Sequence, residues 1–135
     1  MRILVVEDEA GVRELASQFL RVKGYTVLEA PGGHEALEIA RQHTGTIHLL
    51  LSDMVMPKMN GGELAANLRI IRPEIRVAFM SGYSEFSRGD LVQNFPDAPV
   101  IQKPFSPASL IDIVRRALIP GSAEQTREQR ECRVT

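Results

Sequence analysis

The 135-residue sequence predicts an α/β fold: one doubly wound parallel sheet with helices on both of its faces. Three observations predict it. Five short runs are apolar almost throughout, as strands covered on both faces must be. Between them, apolar residues recur at helical spacing. Strand and helix patterns then alternate regularly along the chain, joined by short loops rich in Gly, Pro and Asn.

The first strand is Arg2 to Val6 (RILVV), and it ends abruptly in Glu7, Asp8 and Glu9. Val12, Leu15, Ala16, Phe19 and Leu20 then form one helical stripe, which Gly24 stops. Tyr25 to Glu29 (YTVLE) is the second strand, and Pro31-Gly32-Gly33 is a loop. Glu35 to Gln42 forms the second helix, burying Ala36, Leu37 and Ala40. The third strand, Ile47 to Ser52 (IHLLLS), runs directly into Asp53. After a loop from Met54 to Asn60 that carries Pro57, Asn60 and Glu63 read as a capping box. They open a helix burying Leu64, Ala65, Leu68 and Ile71, ended by Pro73. Ile75 to Met80 (IRVAFM) is the fourth strand, followed by Ser81-Gly82.

A fourth helix over Ser84 to Asn94 has a thin apolar stripe and is interrupted by Gly89. Ala98 to Gln102 (APVIQ) is the fifth strand and leads into Lys103-Pro104. Ser106 as cap and Pro107 in the first helical position start the fifth helix, which buries Leu110, Ile111, Val114, Ala117 and Leu118. Pro120-Gly121 closes the domain. Residues 1–119 are therefore read as one domain, and 120–135 as a polar tail, disordered or a frayed helix.

Composition narrows the function classes. Sixteen Lys and Arg against seventeen Asp and Glu leave a net charge of -1, which provides no field for nucleic acid or an anionic membrane. No apolar run approaches a membrane span, and the N-terminus lacks a signal-peptide pattern. With Cys132 as the single cysteine, there is no intramolecular disulfide framework, and a cytoplasmic location is expected. His34, His43 and His48 are scattered and are read as neither metal ligands nor phosphodonors. Met54, Met56 and Met59 are read as packing and loop filler.

In doubly wound sheets the site lies beyond the carboxyl ends of the strands, at a switch in strand order. Read in order, those ends carry Glu7 and Asp8, then Asp53, then Ser81, then Lys103. Singly, each is an ordinary turn, cap or surface residue; together they form one crevice. Two carboxylates about 4 Å apart repel by roughly 4 kcal/mol at an effective dielectric near 20. Such a cluster raises a pKa or recruits a cation. Oxygen-only ligands suit a hard divalent ion, Mg²⁺ foremost, with Mn²⁺ or Ca²⁺ also meeting the donor requirement. Metal, Lys103 ammonium and Ser81 hydroxyl make a set suited to three phosphoryl oxygens. Asp53, between the acidic pair and Lys103, is the best nucleophile, and its attack on phosphorus gives an aspartyl phosphate.

The chain resembles the receiver domain of two-component response regulators. The resemblance is carried by Ile3-Leu4-Val5-Val6-Glu7-Asp8-Glu9, Leu51-Ser52-Asp53-Met54-Val55-Met56-Pro57, Met59-Asn60-Gly61-Gly62-Glu63, Met80-Ser81-Gly82 and Lys103-Pro104-Phe105, in the family's order. It covers residues 1 to 119. The wording Met80-Ser81-Gly82-Tyr83-Ser84 is most similar to receivers of hybrid sensor histidine kinases, with stand-alone receivers as the other comparison.

The resemblance implies a flavodoxin-like fold with strand order 2-1-3-4-5. It makes Asp53 the acceptor of a phosphoryl group from the phosphohistidine of a sensor histidine kinase or histidine phosphotransfer domain. It implies that Asp8, Asp53 and the main-chain carbonyl of Val55 hold Mg²⁺, with Glu7 acting through a water. Lys103 would pair with the phosphoryl group, Ser81 would hydrogen-bond it, and Pro104 would follow a cis peptide bond. A downstream partner would meet the face formed by the fourth helix, fifth strand and fifth helix, in a monomer or weak dimer. One departure concerns the readout. Three positions before the lysine, where the family usually has Tyr or Phe, stands Val100, so the aromatic switch is in doubt and Tyr83 is a candidate for part of it.

Three rivals are weighed against this reading. A phosphatase using an Asp nucleophile would need a second Asp two residues on, where Val55 stands. A nucleotide or flavin binder would need an anion loop after the first strand, which Glu7-Asp8-Glu9 opposes. A receiver-like interaction module that is never phosphorylated is harder to exclude, though it would have no use for Glu7, Asp8, Asp53, Ser81 and Lys103 together.

Overall fold

In the computed structural model, residues 1–82 and 94–119 are described. Along the chain run β1 (Arg2–Val6), α1 (Ala10–Val22), β2 (Thr26–Ala30), α2 (Gly33–Gln42), β3 (Leu49–Asp53), α3 (Gly61–Ile71), β4 (Arg76–Ser81), β5 (Val100–Gln102) and α4 (Pro107–Leu118). The strands form one parallel sheet in the order β2-β1-β3-β4-β5. This is the flavodoxin-like arrangement predicted. Both the fourth helix expected over Ser84 to Asn94 and the tail from Pro120 onward fall largely or wholly outside the described residues, as does Tyr83.

Period-two alternation sorts the strand residues into two cores. Leu4, Val6 and Leu50 face α2 and α3, packing with Leu37, Leu64 and Leu68. Ile3, Val5, Leu49 and Leu51 face α1 and α4, packing with Ala16, Leu20, Leu110 and Val114. Because both faces are covered, β1 carries no polar residue between Ile3 and Val6, and all four side chains are fully buried. Burying such a side chain contributes about 1.5–3 kcal/mol, so β1 is a strongly anchored place from which to project a polar group.

Local signals set the element ends. Gly24 adopts a φ of 94°, a left-handed conformation that terminates α1. At α3 the predicted capping box is formed: the Asn60 side chain accepts from the Glu63 N–H, and the Glu63 carboxylate accepts from the Asn60 N–H. Ser106 caps α4 with Pro107 in its first turn, while Ser109 closes the reciprocal bond.

Several expectations need correction, three of them with a clear physical reason. Leu15 is exposed, not buried; the buried side of α1 is centred on Ala16, Ser17 and Leu20, which leaves Leu15 about 100° round from Ala16 on the outer side. The fifth strand begins at Val100, not Ala98, because Pro99 has no N–H for the ladder, although its carbonyl still accepts from Phe79. Helix α2 starts at Gly33, two residues early, with extended Gly32 as its cap.

Candidate functional site

Strand register brings the site together. Val6 lies opposite Ser52, so Glu7 and Asp53, each one residue further, emerge side by side. Asp53 lies opposite Met80, which puts Ser81 at the next strand end, and Ser81 lies opposite Gln102, the residue before Lys103. Between β1 and β3 the chain changes direction across the sheet, since β2 lies on one side of β1 and β3 on the other. The crevice at that switch holds the acids.

Glu7 is fully buried, Asp53 nearly so, and Asp8 is exposed at the rim. One carboxylate oxygen from each lies within 4.8 Å of the others. Lys103 Nζ donates to Glu7 Oε1 at 3.0 Å and stands 3.3 Å from Asp53 Oδ2. Glu7 Oε2 is buried and accepts no hydrogen bond among the described residues. Burial, reinforced by the adjacent Asp53 carboxylate, pushes the Glu7 carboxyl up to about 8 against the pull of Lys103. For Lys103, burial works to lower the pKa, but Glu7 and Asp53 outweigh it and the ammonium is held above its ordinary value.

These residues fit a hard divalent cation. The donors are all oxygen, three acids converge with Lys103 paired to two of them, and Glu7 keeps a buried carboxylate oxygen without a hydrogen-bond partner among the described residues. Ser81 is buried with its hydroxyl donating to the adjacent Gly82 carbonyl at 3.1 Å. Val55 follows Asp53 by two residues, half-buried, its side chain against the core. The Lys103-Pro104 bond is cis, as the resemblance implies. Val100 is half-buried opposite Phe79 and packs into the α2–α3 core, so position 100 offers no ring to rotate.

Two supporting residues had no chemical role in the sequence reading. At Gly61, the first residue of α3, a Cβ would run into the main-chain carbonyl of Asp53. The Gly61 N–H also donates to the Met54 carbonyl, so α3 begins hard against the strand that carries Asp53. The glycine pair following Met59-Asn60 was the available signal. Arg13, on the first turn and a half of α1, donates from Nη1 to the main-chain carbonyl of Glu7 at 2.7 Å. Its signal was weaker, since a helix arginine commonly points to water.

Comparison with known proteins agrees with this geometry. The family description "Response regulator receiver domain" matches residues 3–115. The chain is 41% identical over 119 residues to the sensor kinase CckA of Brucella abortus, covering 86% of this chain and 12% of that protein. It is 33% identical to the response regulator receiver protein CpdR of the same organism, covering 87% and 97%. Sporulation initiation phosphotransferase F of Bacillus subtilis is 31% identical, covering 87% and 93%. A crystal structure of the receiver domain from the hybrid histidine kinase CckA superposes with a TM-score of 0.73 at 37% identity, covering 88% of this chain and 100% of that one. Chemotaxis protein CheY4 of Vibrio cholerae gives a TM-score of 0.77 at 25% identity, covering 87% and 98%. No described helix is long and apolar enough to cross a membrane. A matched span of 113 residues, a 2-1-3-4-5 sheet and an acidic crevice at its switch point place this chain in the response regulator receiver domain family of two-component signalling.

Proposed function

We propose that residues 1–119 act as a cytoplasmic phosphoacceptor, with Asp53 taking a phosphoryl group from the phosphohistidine of a sensor histidine kinase or histidine phosphotransfer domain. An Asp53 carboxylate oxygen forms the bond to phosphorus as the phosphorus–nitrogen bond breaks, and the freed imidazole nitrogen takes up a proton. Asp8, Asp53 and the Val55 main-chain carbonyl would hold Mg²⁺, with Glu7 acting through a water. When bound, the ion offsets charge on the phosphoryl oxygens and lets two carboxylates approach an anion.

The chain's own residues do the rest. Lys103 is fastened to Glu7 and Asp53, which supports it as the partner of the phosphoryl charge that would develop on Asp53. Buried Asp53 is held at the end of a fully buried strand, which limits its freedom to move and orients its attack. Ser81 would leave the Gly82 carbonyl for a phosphoryl oxygen. That movement, together with Lys103, would bias the face around β5 and α4 toward a downstream partner. This is a signalling acceptor, not a turnover catalyst.

The observation that carries the reading is the Lys103 ammonium shared between Glu7 and Asp53 at the mouth of a three-carboxylate cluster. The test is incubation with Mg²⁺ and acetyl phosphate, followed by intact mass. One phosphoryl adduct is expected, abolished by EDTA and by Asp53→Ala. An adduct that survives Asp53→Ala overturns the assignment.

A further inference from the structure

The turn that presents Glu7 and Asp8 is tied down from outside the acidic cluster. The Glu7 N–H donates to the Ala30 carbonyl of β2, and the Glu7 carbonyl accepts from Arg13 Nη1 at 2.7 Å. Both main-chain groups of Glu7 are thus engaged just where the chain leaves β1. Arg13 is itself held. Its Nε lies 3.9 Å from Glu29 Oε1, and Glu29 Oε2 accepts from Arg21 Nη2 at 2.9 Å. Glu29 is on β2, opposite Val5 in the ladder, so the chain of contacts runs from the second strand through α1 to the end of the first.

We propose that Arg13, anchored by Glu29, is the positioning residue for the metal-binding turn: it sets the main-chain direction at Glu7 and hence where the Glu7 and Asp8 carboxylates point. The inference rests on the Mg²⁺-dependent reading above. Its action is geometric. The charges that bear on the Glu7 carboxylate are those of Asp53 and Lys103, whereas Arg13 touches the peptide carbonyl. A planar guanidinium suits this task because its fork serves the carbonyl and Glu29 together, which a lysine ammonium on a single stem does not. Groups that orient metal ligands from behind typically change metal affinity 10–100-fold when removed.

The test measures Mg²⁺ affinity by calorimetry on wild type, Arg13→Met, Glu29→Gln and Arg21→Met, and the Mg²⁺ dependence of acetyl phosphate labelling. Arg13→Met keeps the aliphatic stem and is expected to weaken Mg²⁺ binding about tenfold. It should raise the Mg²⁺ concentration for half-maximal labelling to match, while the rate at saturating Mg²⁺ stays within twofold. Glu29→Gln should show the same pattern at smaller size, and it decides the matter should Arg13→Met not fold. Arg21→Met, which removes an exposed pair without touching Glu7, should bind Mg²⁺ as wild type does. Unchanged affinity in both Arg13→Met and Glu29→Gln, or equal weakening in Arg21→Met, overturns the role given to Arg13 alone. A wild-type domain that binds no Mg²⁺ overturns this inference and the phosphoacceptor reading together.

Discussion

Lys103 donates to Glu7 at 3.0 Å across a separation of 96 positions, joining the last strand end to the first. The same ammonium stands 3.3 Å from Asp53. One cation therefore holds two buried acids whose mutual repulsion would otherwise open the crevice. Lys103→Met removes it and leaves the acids to each other. Losing one partner of a buried pair costs about 3 kcal/mol. The loss should be largest above pH 8, where Glu7 is charged, and smaller at pH 6, where it holds a proton. Thermal melting at the two pH values without Mg²⁺ checks this, and an equal loss at both contradicts it.

Glu7 makes the metal-free domain sensitive to pH in a defined direction. Its carboxyl is raised to about 8 when folded, whereas in the unfolded chain it titrates near the ordinary 4.5. Between those values the folded state binds the extra proton, so this contribution to stability is complete below about 4.5 and lost as pH rises through 8. Cation binding favours the ionised carboxylate and opposes the same proton. Magnesium binding at pH 7 should therefore release protons, and the affinity should rise with pH until it flattens above 8. Calorimetry in two buffers of different ionisation enthalpy measures the release. Glu7→Gln should abolish it and flatten the pH dependence of stability.

Gly61 tests how closely α3 must approach the strand that carries Asp53. A methyl group at this position meets the Asp53 carbonyl, a backbone atom that has no rotamer with which to move aside. Gly61→Ala is expected to cost about 1–3 kcal/mol by overpacking and to slow acetyl phosphate labelling as Asp53 shifts. Gly62→Ala provides the neighbouring comparison. Equal labelling and melting for Gly61→Ala and wild type would remove the steric account.

Arg72 is a purely structural counterpart. Its guanidinium donates to the carbonyls of Ala40, His43 and Gly45 at 3.1, 2.6 and 2.7 Å, closing the C-terminal end of α2 from the end of α3. Arg72→Met leaves three carbonyls to find other partners, and a loss of about 2–3 kcal/mol is expected. Arg72→Lys should recover only part, since one ammonium does not reproduce the fork. Phosphoryl labelling, read at the opposite end of the sheet, should keep its wild-type rate in whatever fraction remains folded.

What the sequence shows and what it hides divide along physical lines. Strand runs such as Ile3 to Val6 and Leu49 to Leu51 are legible because burial on two faces demands unbroken apolar stretches. The acids and Lys103 are legible because a doubly wound sheet assigns one end to chemistry. Arg13 and Arg72 are not, because an arginine on a helix has the same sequence context whether it meets water or a distant carbonyl. The exposure of Leu15 is hidden for a related reason. Helical spacing defines a stripe, but only the neighbours from β1, β2 and α4 decide which edge of the stripe is covered. The residues between Gly82 and Asn94 had a weak helix signal, and they lie outside the described part of the chain.

Ser81 bears on how the phosphorylated state would differ from this one. Its hydroxyl now donates to the Gly82 carbonyl at 3.1 Å, a neutral bond contributing about 1 kcal/mol. Transfer to a phosphoryl oxygen replaces it with a charge-assisted bond of about 2 kcal/mol, a net bias near 1 kcal/mol. Moving a population from 1:99 to 99:1 needs about 5.5 kcal/mol, so Ser81 alone does not throw the switch, and with Val100 in place no ring at that position adds to it. On the proposed reading Lys103 would have to supply a larger share by following the new charge. In the presence of Mg²⁺ and beryllofluoride, Ser81→Ala should therefore retain most of the amide shift changes around Asp53 and Lys103 and lose those at residues 81 and 82. Lys103→Met should lose the changes along β5 and α4 as well. Complete loss of the response in Ser81→Ala would show that the hydroxyl carries far more than one hydrogen bond.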